Sequence, residues 1–145
     1  MATTTALCTS FKSEILTKTH GLTADTIKVA LIKVSPTGTY GAGSTNYSNI
    51  TGNSDEVSGT GYTAGGATLS GGAVTTSGTT AFADWSDVSW TAATISTTAC
   101  MIYNSTASNK AISTHDFGGT QTVTAGTLTL VFPTPDASNA IIRIA

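Results

Sequence analysis

Nine residues near the start of the chain constrain its fold most: Thr26-Ile-Lys-Val-Ala-Leu-Ile-Lys-Val34. As a strand, this run points Ile27, Val29 and Leu31 to one face and Ala30, Ile32 and Val34 to the other. A strand that is apolar on both faces must be covered on both, so it belongs in the middle of a sheet with material above and below it. One of those covers is supplied by the residues just before it. Leu7, Phe11 and Ile15 recur every four residues with Leu16 alongside, which predicts an N-terminal helix over 6–20. Gly21 is placed to stop that helix, and Lys18 and His20 fall in a last turn where cations suit the dipole.

After the central strand the signal changes. Pro36, six glycines from Gly38 to Gly61 and few aliphatics predict a long loop region over 35–66. From Ala67 onward short β patterns return, at 67–70, 73–77, 80–84, 88–95, 98–104, 111–117, 121–132 and 140–144. They are punctuated by Gly71-Gly72, Ser77-Gly78, Ser105–Asn109 and Gly118-Gly119. No linker of charge or proline divides the chain, so residues 1–145 read as one domain. The class is mainly β: an antiparallel β-sandwich or jelly-roll-like barrel with one N-terminal α-helix.

Composition enters where surface chemistry matters. Six basic and eight acidic residues are well below the usual quarter of a soluble chain, and 31 Thr with 16 Ser supply the polarity instead. Hydroxyls cost less to bury than ions, so such a surface suits being covered by another protein. The plainer alternative is a β-domain that is merely neutral outside. A net charge of −2 with cations scattered at Lys12, Lys18, Lys28, Lys33, Lys110 and Arg143 offers no basic stripe to a nucleic acid. No apolar run approaches membrane-spanning length. Met-Ala-Thr-Thr-Thr at the start lacks the regions of a signal peptide, so use without Sec export is expected. Cys8 and Cys100 then read as two free, buried thiols, with a single bridge as the alternative.

The motifs that could carry chemistry are weak. Ser113-Thr114-His115-Asp116 holds the residue types of a hydrolase triad, but on a strand Ser113 and His115 share a face that Asp116 does not. A Cys100–His115 pair would need both side chains in one cleft, and Cys100 sits in an apolar strand. Gly59-Thr-Gly61-Tyr-Thr-Ala64 lacks the preceding strand and following helix that a dinucleotide site needs. Asp55 with Glu56, and Asp84 with Asp87, lack the spacing of a cation loop and read as solvated turn acids, so no metal or cofactor is expected. Trp85 and Trp90 are five residues apart; on one strand they face opposite ways, giving one core ring and one free for an interface or a sugar platform. The triplets at Asn46, Asn49 and Asn104 are expected by chance in a chain so rich in Ser and Thr.

The order of segments does carry a resemblance. The stretch Glu56-Val-Ser-Gly-Thr-Gly-Tyr-Thr-Ala-Gly-Gly-Ala67, followed by Asp84-Trp-Ser-Asp-Val-Ser-Trp90 within a helix–strand–loop–strands layout spanning nearly the whole chain, resembles small virion proteins of tailed bacteriophages. The resemblance implies a non-enzymatic structural component of the virion, assembled in the host cytoplasm. It implies above all a capsid decoration or cement protein, whose partners are the major capsid protein and copies of itself in a homo-oligomer. A tail or neck component and a carbohydrate-binding virion module are the alternatives. On this reading the 35–66 region and the helix make the contact, with Tyr40, Tyr47, Tyr62 and Trp85 as interface residues.

Overall fold

The central strand forms as its pattern requires. In the computed structural model, which describes residues 1–145, it is β2 (Ile27–Lys33), fully buried at Val29, Ala30, Leu31 and Ile32. It follows β1 (Ala6–Leu7) and α1 (Thr9–Leu16), and precedes α2 (Ser48–Gly52). Then come β3 (Ala67–Thr68), β4 (Ala73–Ser77), β5 (Thr80–Asp84), β6 (Val88–Asn104), β7 (Lys110–Leu130) and β8 (Ile142–Ile144). The protein is mainly β, with two antiparallel sheets and a short N-terminal helix in a sandwich-like arrangement. The large sheet runs β1-β7-β6-β2-β3 and the small one β4-β5-β8. One core draws on both: Val29, Leu31, Met101, Ile102 and Ile112 from the large sheet join Ala83, Trp85 and Ile142 from beside and within the small one.

Three expectations are corrected and one is refined. The helix is shorter than 6–20, because Ala6 and Leu7 pair with Thr114 and Ser113 of β7 as strand residues. It ends at Thr17, where Lys18 takes the left-handed backbone (φ 62°) expected of Gly21. Its buried residue is Phe11, with Ile15 partly covered, while Leu16 is 86% exposed. His20 lies beyond the helix and is buried.

The second correction concerns the strands. The four short segments expected across 88–132 are two long ones. Gly118-Gly119, read as a turn, lies inside β7: Thr97 pairs with Gln121 and Ala99 with Asp116, so Phe117–Thr120 stand opposite Thr98 alone. A smaller bulge sets Thr124 and Ala125 opposite Thr94, with Ala125 at φ 45°. Bulges absorb extra residues without ending the ladder, which an alternating pattern interrupted by glycines does not reveal.

Third, the 35–66 region is the loop region expected, with only α2 and isolated bridges as regular structure, but it is tied down along its length. Thr3 bridges to Tyr40, Asn46 to Lys110, Glu56 to Ile32 and Thr60 to Thr94, and α2 buries Ile50. Its return segment covers the otherwise open edge of β2: Lys33 N–H donates to Asp55 O at 2.8 Å and Val57 N–H to Leu31 O at 3.0 Å.

Fourth, Trp85 and Trp90 are both buried, at 4% and 6% exposed. They do not share a strand, because β5 ends at Asp84 and β6 begins at Val88, so the two-residue alternation does not connect them.

Candidate functional site

The tyrosines expected at an interface meet the acids expected in solvent. Asp55 is fully buried. It accepts the Thr37 and Gly38 backbone N–H groups at 2.9 and 2.7 Å and the Tyr40 hydroxyl at 2.6 Å, with Lys33 Nζ at 3.1 Å. Burial pushes its carboxyl upward, but the Thr37 amide, the Tyr40 hydroxyl, the Gly38 amide and Lys33 outweigh that and hold it well below the usual carboxylate range. Tyr40 responds in the opposite sense, pushed up to about 12 by burial and by the neighbouring carboxylate.

Glu56 is the second hub. It accepts the Tyr47 hydroxyl at 2.5 Å, the Tyr62 hydroxyl at 2.8 Å and the Gly65 N–H at 2.7 Å. Tyr62 is also the acceptor for the Leu31 N–H at 3.0 Å, capping a β2 donor that no strand reaches. Tyr47 stacks on Tyr103, ring centroids 4.6 Å apart, and Tyr103 donates to Gly65 O at 2.7 Å. The structure thus gathers Tyr40, Tyr47 and Tyr62 around adjacent carboxylates, where their hydroxyls hold the 35–66 region to the sheet. Tyr40 and Trp85 are buried within the chain and present no free surface; Tyr47 and Tyr62 keep part of theirs. The expectation of solvated acids at Asp55 and Glu56 is corrected. The only sequence hint was two adjacent acids in a region otherwise free of charge.

The glycines of Gly59-Thr-Gly61 have a steric role. Gly61 (φ 80°) lies so close to β6 that a Cβ would sit 2.7 Å from the Ala93 Cα. The loop crosses over the strand there, and Thr94 N–H donates to Thr60 O at 2.9 Å.

Ser113 and His115 share a face, as alternation predicts, with Oγ and Nε2 2.9 Å apart. They line a cavity of about 410 Å³ with Leu7, Cys100, Phe117, Phe132 and Ile141. Ser113 is 1% exposed, and burial lowers the His115 pKa. The Asp116 carboxylate instead accepts the Gly118 N–H at 3.1 Å, so it does not orient the imidazole. Burial pushes the Cys100 thiol up to about 12 and, with help from Glu14, the Cys8 thiol up to about 11; neither is a thiolate at neutral pH. Both cysteines are free.

A polar cluster that sequence reading missed closes the other end of the sheet. His20 Nε2 meets Glu14 at 2.8 Å, and Asn104 Nδ2 reaches His20 Nδ1 at 3.1 Å and Asp25 at 2.6 Å. Because Asn104 Oδ1 accepts the Ala107 N–H, its amide nitrogen faces His20, which fits an Nε2–H imidazole donating to Glu14. Lys110 joins Glu14 at 2.9 Å. Asn104 is therefore an interior linker, and these residues, spread from 14 to 110, have no local signal.

Two strands leave much surface open to a partner. β4 is exposed at every position, Val74 included, and most of β7 beyond Asp116 is exposed or half-exposed. Their side chains are chiefly Thr and Ser, some paired across strands: Ser96 with Thr122 and Ser89 with Thr129, each at 2.9 Å. Compared with protein-family models, curated proteins and solved structures, the chain matches none.

Proposed function

We propose that this protein is a non-enzymatic virion structural component of a tailed bacteriophage, a capsid decoration or cement protein that binds the major capsid lattice. The observation that carries the reading is the uncharged, hydroxyl-covered surface of β4 and distal β7, strands that the chain's own fold leaves uncovered. Covering hydroxyls and backbone costs little desolvation beside covering ions, and a lattice multiplies weak contacts through avidity. The sequence resemblance points the same way. A tail or neck position uses the same physics at a different place in the particle. A sugar platform has less support, because Trp85, Trp90 and Tyr40 are buried and Tyr47 is stacked on Tyr103.

The test is an electron cryomicroscopy reconstruction of particles carrying the protein. Density bridging major capsid subunits is the expected result. Density confined to the tail or neck moves the role, and absence from the particle overturns it.

A further inference from the structure

We propose that the outer edge of β7, from Phe117 to Leu130, pairs antiparallel with the same edge of a second copy about a two-fold axis, joining two large sheets into one. β6 occupies the inner side of β7 throughout, whereas β1 reaches only Ser113 and Thr114 on the outer side. Beyond the Asp116 N–H, which donates to Thr5 Oγ1, no backbone hydrogen bond leaves that outer edge for any other part of the chain. Apart from the Gly118 N–H, which donates to Asp116 Oδ1 at 3.1 Å, and the Gly119 carbonyl, which accepts from Gln121 Nε2 at 3.5 Å, the edge offers its backbone donors and acceptors to a further strand.

Natural monomers guard long edges with lysine, proline or covering segments. From Phe117 to Phe132 this chain has no charged residue and no proline. The C-terminal residues Phe132 and Ile141 line the cavity beside His115, and no backbone hydrogen bond runs from that segment to the outer edge. Bulges interrupt β7 at Phe117–Thr120 and at Thr124-Ala125, and Thr127 stands opposite both Thr91 and Ala92 of β6, so its regular stretches are Gln121–Val123 and Leu128–Leu130.

A second copy fits this edge because a two-fold axis turns any strand antiparallel to itself, so one uncharged sequence supplies both halves of the ladder. Threonines 120, 124 and 127 are exposed and bring no charge to repel an approaching copy, and this strand already makes cross-strand hydroxyl pairs on its inner side. Edge pairing alone covers less than the roughly 800 Å² per partner of a standard interface, so the dimer dissociates on dilution. The inference goes beyond the proposed function and does not depend on attachment to a particle.

The test uses the full chain in analytical ultracentrifugation from micromolar to millimolar concentration. The variants are T120K/T124K/T127K and T120E/T124E/T127E, all at exposed positions, with thermal melts to confirm the fold. Wild type is expected to pass from monomer to dimer. Each charged variant is expected to stay monomeric with wild-type melting, and an equimolar mixture of the two to associate more tightly than wild type. A wild type that is monomeric throughout, a charged variant that dimerises like wild type, or a mixture that does not associate would overturn the pairing. If wild type is monomeric but the lysine variant no longer binds particles, the edge is covered by a different protein and the self-pairing fails while the particle function stands. A dimer that follows the charge pattern in a protein missing from particles would have the reverse meaning.

Discussion

Asp55 shows how one side chain can organise a region that composition marks as loose. Its carboxylate collects two backbone N–H groups and the Tyr40 hydroxyl from one stretch of the loop and Lys33 from β2. Asp55→Ala leaves those buried donors unpaired and is expected to cost roughly 3 kcal/mol or more in denaturant unfolding. Asp55→Asn keeps the shape but turns one acceptor into a donor facing donors, so it recovers only part of that loss. The pH dependence follows from the direction of the shift. A carboxyl held below its unfolded value of about 3.9 contributes its full stability above that pH and loses it as pH falls toward the depressed folded value. The wild type should therefore lose stability between mildly and strongly acidic pH, and Asp55→Asn should show a flatter profile over that window. A second residue-scale expectation concerns the thiols. Cys8 and Cys100 are buried with raised pKa values, so a disulfide-exchange reagent at mildly alkaline pH should label neither until the protein is unfolded. Rapid labelling of the folded chain would mean that the core opens.

Elements were legible where the signal was local. The pattern of Thr26–Val34 gave a central strand, and alternation gave Ala73–Ser77 and Thr80–Asp84 with their observed bounds. What stayed hidden depends on distant partners: the strand character of Ala6-Leu7 comes from β7, and the length of β7 comes from β6 bridging its glycines. The same holds for the tyrosine–carboxylate contacts, since nothing in Tyr62 foretells that its hydroxyl meets both Glu56 and the Leu31 amide. β3 is a case where one atom decides an element. Gly66 (φ 76°) lies against β2 so tightly that a Cβ would fall within 1.8 Å of the Val29 carbonyl oxygen. Gly66→Ala should push Ala67-Thr68 off the edge of β2, costing roughly 2 kcal/mol or more and about 5 °C or more in Tm. Gly43→Ala, where a Cβ meets nothing within 4 Å, is the control and should melt like wild type.

At the scale of the whole molecule, protection is distributed unevenly. The buried rows run across β2, the Ala99–Asn104 part of β6 and the Ala111–Thr114 part of β7, under cover of α1 on one side and the tyrosine-bearing loop on the other. Away from that block, β4 is exposed at every position and β7 beyond Asp116 has one open edge. Local opening free energies follow buried contacts and backbone pairing, so amide hydrogen exchange should be slowest in the block and fast in β4 and along outer-edge amides of Phe117–Leu130. That ranking is expected for the dilute chain. Raising the concentration should slow exchange in distal β7 while leaving β4 unchanged, because only the former edge is filled by a second copy. Attachment to a particle should then slow β4 as well if that strand meets the lattice. Protection of β4 at low concentration, with distal β7 unaffected at high, would mean that the uncovered surfaces have been assigned to the wrong partners.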